Sequence, residues 1–176
     1  MNAHVFAATP ETVEALRSVV GRAAEAVAAP EAVAILTPEK ALVIEVEAED
    51  FETNFECYRL VARETDVRPF QRTITLGTVL RIELLTSEEW IEAAVGPQPP
   101  GFIGEVQAYQ QSGFPGAAPS YALAKCVVDD AVLIVGTHRE LLVRCDVMAY
   151  QLIVATDGVE ISEQVAERQS RILPAG

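Results

Sequence analysis

The chain has 176 residues, half of them apolar but only 6% aromatic, and its 26 acidic side chains outnumber 13 basic ones, for a net charge of −13. A core built mainly of Ala, Val, Leu and Ile is therefore available, and a disordered chain is excluded. Because the acids are spread along the sequence, the surface repels phosphate backbones and no nucleic-acid partner is expected. No apolar run is long enough to span a bilayer, so no membrane partner is expected either.

Residues 1–8 carry no basic stretch followed by a long apolar run, so a secretory leader is not expected. Thr9-Pro10-Glu11 has the chemistry of a helix start: a hydroxyl cap, a proline suited to the first turn and an acid at the positive end of the dipole. With Val13, Leu16, Val20, Ala23 and Val27 at helical spacing, a helix is predicted that runs until Pro30. A hairpin follows, 32–37 and 41–49, joined by Pro38-Glu39-Lys40. Leu42, Ile44, Val46 and Ala48 face the core and Val43, Glu45, Glu47 and Glu49 face out. A third strand over 55–63 pairs Glu49 with Phe55, which sets Glu45 opposite Arg59 as a cross-strand ion pair.

After Pro69, residues 71–85 alternate through Ile74, Leu76, Leu80, Ile82 and Leu84, with Gly77 marking a bulge or bend. Thr86-Ser87-Glu88-Glu89 has capping-box spacing, which predicts a short helix carrying Trp90, Ala94 and Val95. The segment 96–121 holds five of the ten glycines and five of the ten prolines and reads as an irregular loop. Apolar runs at 122–128, 131–136 and 141–156 follow, broken at Asp129-Asp130 and at Thr137-His138-Arg139-Glu140. The middle run is apolar on both faces and should lie centrally, and the last should bend near 146–149. Asp157-Gly158 signals a turn before a final helix, 162–172, with Val165 and Ile172 inward. The expected fold is α+β: one domain over 1–176, a mostly antiparallel sheet of about six to eight strands, and three helices packed mainly on one face.

Chemical motifs are sparse. Cys57, Cys126 and Cys145 are odd in number and lack CxxC spacing, so three reduced thiols and a cytoplasmic setting are expected. In the simplest hairpin register Cys126 and Cys145 lie on opposite faces, which excludes a bond between them. His4 and His138 lack companions at metal-ligand spacing, and no phosphate loop or nucleophile elbow occurs, so neither metal nor cofactor is expected. The segment Arg139-Glu140-Leu141-Leu142-Val143-Arg144-Cys145-Asp146 resembles the Arg-Glu-x-Leu-Leu hairpin of chorismate lyase-like proteins, without the Gly-Pro turn usual after that strand.

The binding candidates come from the loop. Phe102, Tyr109, Phe114 and Tyr121 offer contact area at low entropic cost, and Gln110 adds adaptable hydrogen bonds. Arg139 is their polar partner if its turn lies nearby. The expected function is a non-enzymatic binding or interaction module that forms a homo-oligomer and takes a protein partner or a small ligand. The alternative is a small lyase-like or hydrolytic enzyme holding an acidic substrate with Arg139 or Arg144.

Overall fold

The fold is described from a computed structural model over residues 3–50, 56–69, 72–94, 121–146 and 151–175. In chain order it comprises β1 (Ala3–Phe6), α1 (Pro10–Arg17), β2 (Ala23–Ala28), β3 (Val33–Leu36), β4 (Ala41–Asp50) and β5 (Glu56–Thr65). Then come β6 (Ile74–Ala94), β7 (Tyr121–Gly136), β8 (Glu140–Asp146), β9 (Gln151–Ala155), α2 (Gly158–Ala166) and β10 (Gln169–Leu173).

The backbone of the fold is a long antiparallel ribbon, β6 with β7, paired from Val79↔Gly136 to Ala94↔Tyr121. Both strands change their second partner along the way. β6 pairs first with β2 and then with β10, and β7 pairs with β1, in parallel, before it pairs with β8. The full order is β5-β4-β3-β2-β6-β7-β8-β9, with β1 and β10 attached to the ribbon. This sheet coils so that β5 returns against β7 and β8, and β4 approaches β9. Across the seam the Leu152 N–H donates to the Pro30 carbonyl at 2.7 Å.

Inside the coil lies the main core, with Leu16, Ile35, Leu42, Ile44, Leu60 and Ile134 withdrawn from solvent. On the outside, α2 lays Ile161 and Val165 over Leu85, Ala131, Leu133 and Leu142. Residues 131–135 are thus buried on both faces, as their unbroken apolar run predicts.

The α+β expectation is overturned: among the described residues there are ten strands in one sheet and only two short helices, which sit on opposite faces. The first predicted helix ends at Arg17, with Thr9 capping the Thr12 N–H as anticipated. Gly21 adopts φ 83°, and its N–H bonds to the Val79 carbonyl at 2.7 Å, so the chain leaves the helix there and joins the sheet as β2. The predicted Trp90 helix is strand, because the ladder with β7 outweighs the capping pattern and Thr86 spends its hydroxyl on Asp129 instead. The final helix lies earlier than expected. Asp157 caps it at the N–H groups of Val159 and Glu160, and residues 169–173 pair with β6, which leaves Ile172 exposed and Leu173 buried.

Local readings fare better where alternation is strong. The β3–β4 hairpin stands where predicted, with Leu42 and Ile44 buried. The β4–β5 register is two residues from the expected one. Glu47, rather than Glu45, stands opposite Arg59 and accepts its hydrogen bond at 2.7 Å, while Glu45 reaches Arg63 at 3.4 Å. Gly77 does mark a bulge: it holds φ 77°, and the β2–β6 register slips there.

Candidate functional site

Phe102, Tyr109, Gln110 and Phe114 lie outside the described residues. Tyr121 opens β7 opposite Ala94, whereas Arg139 is exposed in the turn beyond the other end of that strand. A strand of that length spans roughly 50 Å, so these two candidates are not brought together. Arg144 is half-buried on β8 between Ala131 and Ile153, and its Nε has no hydrogen-bond acceptor among the described residues. Among the described residues, no group of three His, Cys, Asp or Glu is placed to hold a metal ion.

The buried charges form two staples at the β7 bulge, where Asp130 is the extra residue between Ala131, opposite Leu85, and Asp129, opposite Thr86. Arg168 holds Asp130 through two bonds of 3.0 Å, and both side chains are nearly enclosed. Arg171 forks onto Asp129 at 3.2 and 3.0 Å. Asp129 also accepts from the Ala8 N–H at 2.6 Å and the Thr86 hydroxyl at 2.7 Å. Burial alone would raise the Asp129 pKa, but those bonds to Arg171, Ala8 and Thr86 outweigh it and hold the carboxyl below the ordinary range. Burial likewise opposes charge on Arg168, and Asp130 restores it. These groups lock the C-terminal segment to the ribbon. Their lone pairs and protons are already committed.

The cysteines depart from expectation. Cys57 on β5 and Cys126 on β7 form a disulfide across the coiled sheet, so three free thiols are not present. Sixty-nine residues separate them, and only the return of β5 against β7 brings them together. Cys145 stays free and buried, on the inner face with Val143, and burial beside Asp130 pushes its thiol pKa far up. It is therefore no nucleophile.

Two concavities stand out among the described residues. The larger, about 680 Å³, lies between α1 and the end of the β4–β5 hairpin, lined by Glu11, Glu14, Ser18, Lys40, Arg63 and Glu64. Its cations are engaged, Lys40 with Glu64 at 2.9 Å and Arg63 with Glu45.

The smaller, about 340 Å³, is built on the β2–β6 bulge, with Ala23, Ala24, Thr75 and Gly77 below and Leu36, Thr37 and Pro38 beside them. Gly77 is required there. Its positive φ suits glycine, and a Cβ would run into the Thr137 and His138 side chains, which the β7–β8 turn lays over it. That turn is fixed by the His138 N–H on the Leu76 carbonyl and the Thr78 N–H on the Thr137 hydroxyl, each at 3.0 Å.

Two charged side chains line this cleft. Glu25 projects from β2, in register with Leu36 on one side and Thr75 on the other. Arg68, from the β5–β6 connection, donates from Nη2 to the Thr37 carbonyl at 2.8 Å. Thr37 is itself held by reciprocal bonds with Lys40, so this carbonyl is a fixed anchor. Among the described residues neither Glu25 nor Arg68 forms an ion pair, whereas seven other arginines and Lys40 do. The cleft thus offers a carboxylate and a guanidinium over a small, mostly apolar floor. Sequence reading missed it because Glu25 fell on a predicted helix and Arg68 in an irregular link; only the Gly77 bulge was signalled locally.

No helix among the described residues is long and apolar enough to cross a membrane. No family model, no curated protein and no solved structure matches this chain, so the likeness to the lyase hairpin gains no support and the site stands on its own geometry.

Proposed function

We propose that this protein is a non-enzymatic binding module whose ligand is a small zwitterion of amino-acid size, held between Glu25 and Arg68. The observation that carries the reading is a pair of opposite charges lining one cleft, neither of them in an ion pair with a described residue. Its volume, about 340 Å³, lies at the lower end of small-molecule sites. A ligand carboxylate takes the free edge of the Arg68 guanidinium, which suits bidentate recognition. A ligand ammonium takes Glu25, and a short apolar side chain lies along Leu36 and Pro38.

Calorimetric titration with a panel of amino acids tests this, alongside matched acids lacking the amine and amines lacking the acid. Saturable binding of at least one amino acid, at least tenfold tighter than either half-ligand, is the expected result. Equal binding of a half-ligand, or no binding by any of the panel, contradicts it.

Two accompanying proposals concern setting and assembly. The Cys57–Cys126 bond supports a non-reducing environment in place of the cytoplasmic one expected from thiol count. Exposed Val5, Leu80 and Ile172 support self-association, which light scattering would detect as a particle larger than 19.0 kDa.

A further inference from the structure

The main chain adds a third partner to the cleft. Ala23 stands opposite Thr78 in the β2–β6 ladder, but Thr78 spends both of its backbone groups on the β7–β8 turn. Its N–H donates to the Thr137 hydroxyl and its carbonyl accepts from the Thr137 N–H, each at 3.0 Å. Opposed residues of an antiparallel ladder alternate between bonded and non-bonded pairs, and the N–H and C=O of one residue point to the same side. Ala23 and Thr78 are therefore a non-bonded pair, and Ala23 aims both groups away from β6. Its neighbour agrees: the Arg22 carbonyl faces β6 and accepts from the Val79 N–H at 2.9 Å. On the far side β2 runs beside β3 only as far as Glu25↔Leu36. Continued, that register would set Pro38 opposite Ala23, but Pro38 has no N–H, and the chain has already turned at Thr37, whose N–H closes on the Lys40 carbonyl at 2.9 Å. Among the described residues, no turn or side chain takes the two Ala23 groups. The space beside them is open, since Ala23 is exposed and lines the cleft together with Pro38.

We infer that this open rung of the ladder selects the ligand class: the cleft takes a free α-amino acid, which pairs with Ala23 as a strand of one residue. The inference rests on the cleft between Glu25 and Arg68 being the binding site, and it adds what tells one zwitterion from another. The ligand ammonium donates to the Ala23 carbonyl and to Glu25. Its carboxylate accepts from the Ala23 N–H and from Arg68. An α-amino acid holds amine and carboxyl on one carbon, which is the spacing a strand residue presents to its bonded partner. A β-amino acid carries the same two charges with a methylene between them. It satisfies Glu25 and Arg68, whose long side chains adjust, but it overshoots the fixed pair of groups on Ala23. Charge thus admits zwitterions in general, and the rigid main chain rejects those of the wrong span.

The full chain, carrying ¹⁵N-labelled alanine, is titrated with L-alanine, L-valine and L-leucine and with the β-homologue of each, by calorimetry and by amide NMR. At least one of the three α-amino acids is expected to bind saturably, with its β-homologue about tenfold weaker, the loss of a well-made hydrogen bond. On saturation the Ala23 amide proton should move downfield and its exchange with solvent should slow about tenfold. Ala23→Gly, which keeps the N–H, should retain the preference for the α-amino acid. Ala23→Pro, which removes the N–H, should weaken binding about tenfold and abolish that preference; the amide readout on the parent stands if this variant does not fold. Equal binding of an α-amino acid and its β-homologue overturns the inference, and so does an Ala23 amide that neither shifts nor gains protection at saturation; either result leaves the cleft reading in place. Silence from all three α-amino acids also overturns it, whereas the cleft reading falls only if the whole amino-acid panel is silent.

Discussion

The molecule uses the acid–arginine combination in two opposite ways. At the β7 bulge, Asp130 and Arg168 are almost wholly enclosed and doubly bonded to each other; at the β2–β6 bulge, Glu25 and Arg68 stand exposed and form no ion pair with a described residue. The difference follows from solvation. A charge withdrawn from water must be neutralised within the fold, and once neutralised it offers nothing to a ligand. A charge left at a cleft is solvated until a ligand replaces the water. The first arrangement holds the fold together and the second is available for binding.

The sharpest break of that contrast is at the enclosed staple. Asp130→Ala leaves Arg168 buried without its partner and should cost about 3–5 kcal/mol in urea unfolding. Asp129→Ala should cost less, about 2–3 kcal/mol, because Arg171 is half exposed and can turn to water while the Ala8 N–H loses its acceptor. Its pH signature is distinct. Because the folded Asp129 pKa lies below the unfolded value, its stabilisation is complete above about pH 4 and is lost as pH falls through the folded value. Asp129→Asn should flatten that acid limb.

A comparable loss should follow opening of the Cys57–Cys126 bond. Thiol titration of unfolded, unreduced protein should find one equivalent, from Cys145, and three after reduction. Reduction should lower stability by about 2–4 kcal/mol. Finding three equivalents before reduction contradicts the cross-link. At the other bulge, Gly77→Ala forces a Cβ against Thr137 and His138 at positive φ, and should cost about 1–3 kcal/mol while weakening the cleft.

What could be read from sequence was whatever depends on neighbours along the chain. Alternation located the β3–β4 hairpin, the two-faced apolar run placed 131–135 in the centre, and Gly77 marked its bulge. Segments whose local preference disagrees with their pairing were misread. Residues 23–28 are rich in alanine and continue a helical stripe, yet the turn at Gly21 and the ladder with β6 make them strand. Residues 86–94 carry a helix-capping pattern that pairing with β7 overrides, and 169–173 are drawn into the sheet beside the arginines bound to Asp129 and Asp130. The disulfide and the cleft are products of coiling. Nothing in the neighbourhood of Cys57 points to Cys126, and nothing near Glu25 points to Arg68.

The smallest expected change in stability is also the most telling. Among the described residues Arg68 has one structural bond, to the Thr37 carbonyl, so the central claim turns on whether that bond or the cleft is its purpose. The melting temperature of Arg68→Ala should be measured with and without the amino acid that binds the parent best. The account predicts an unliganded stability within about 0.5 kcal/mol of the parent and a ligand-induced rise that disappears. An unliganded loss as large as that of Asp129→Ala, with the ligand-induced rise intact, would make Arg68 a structural latch and contradict the account.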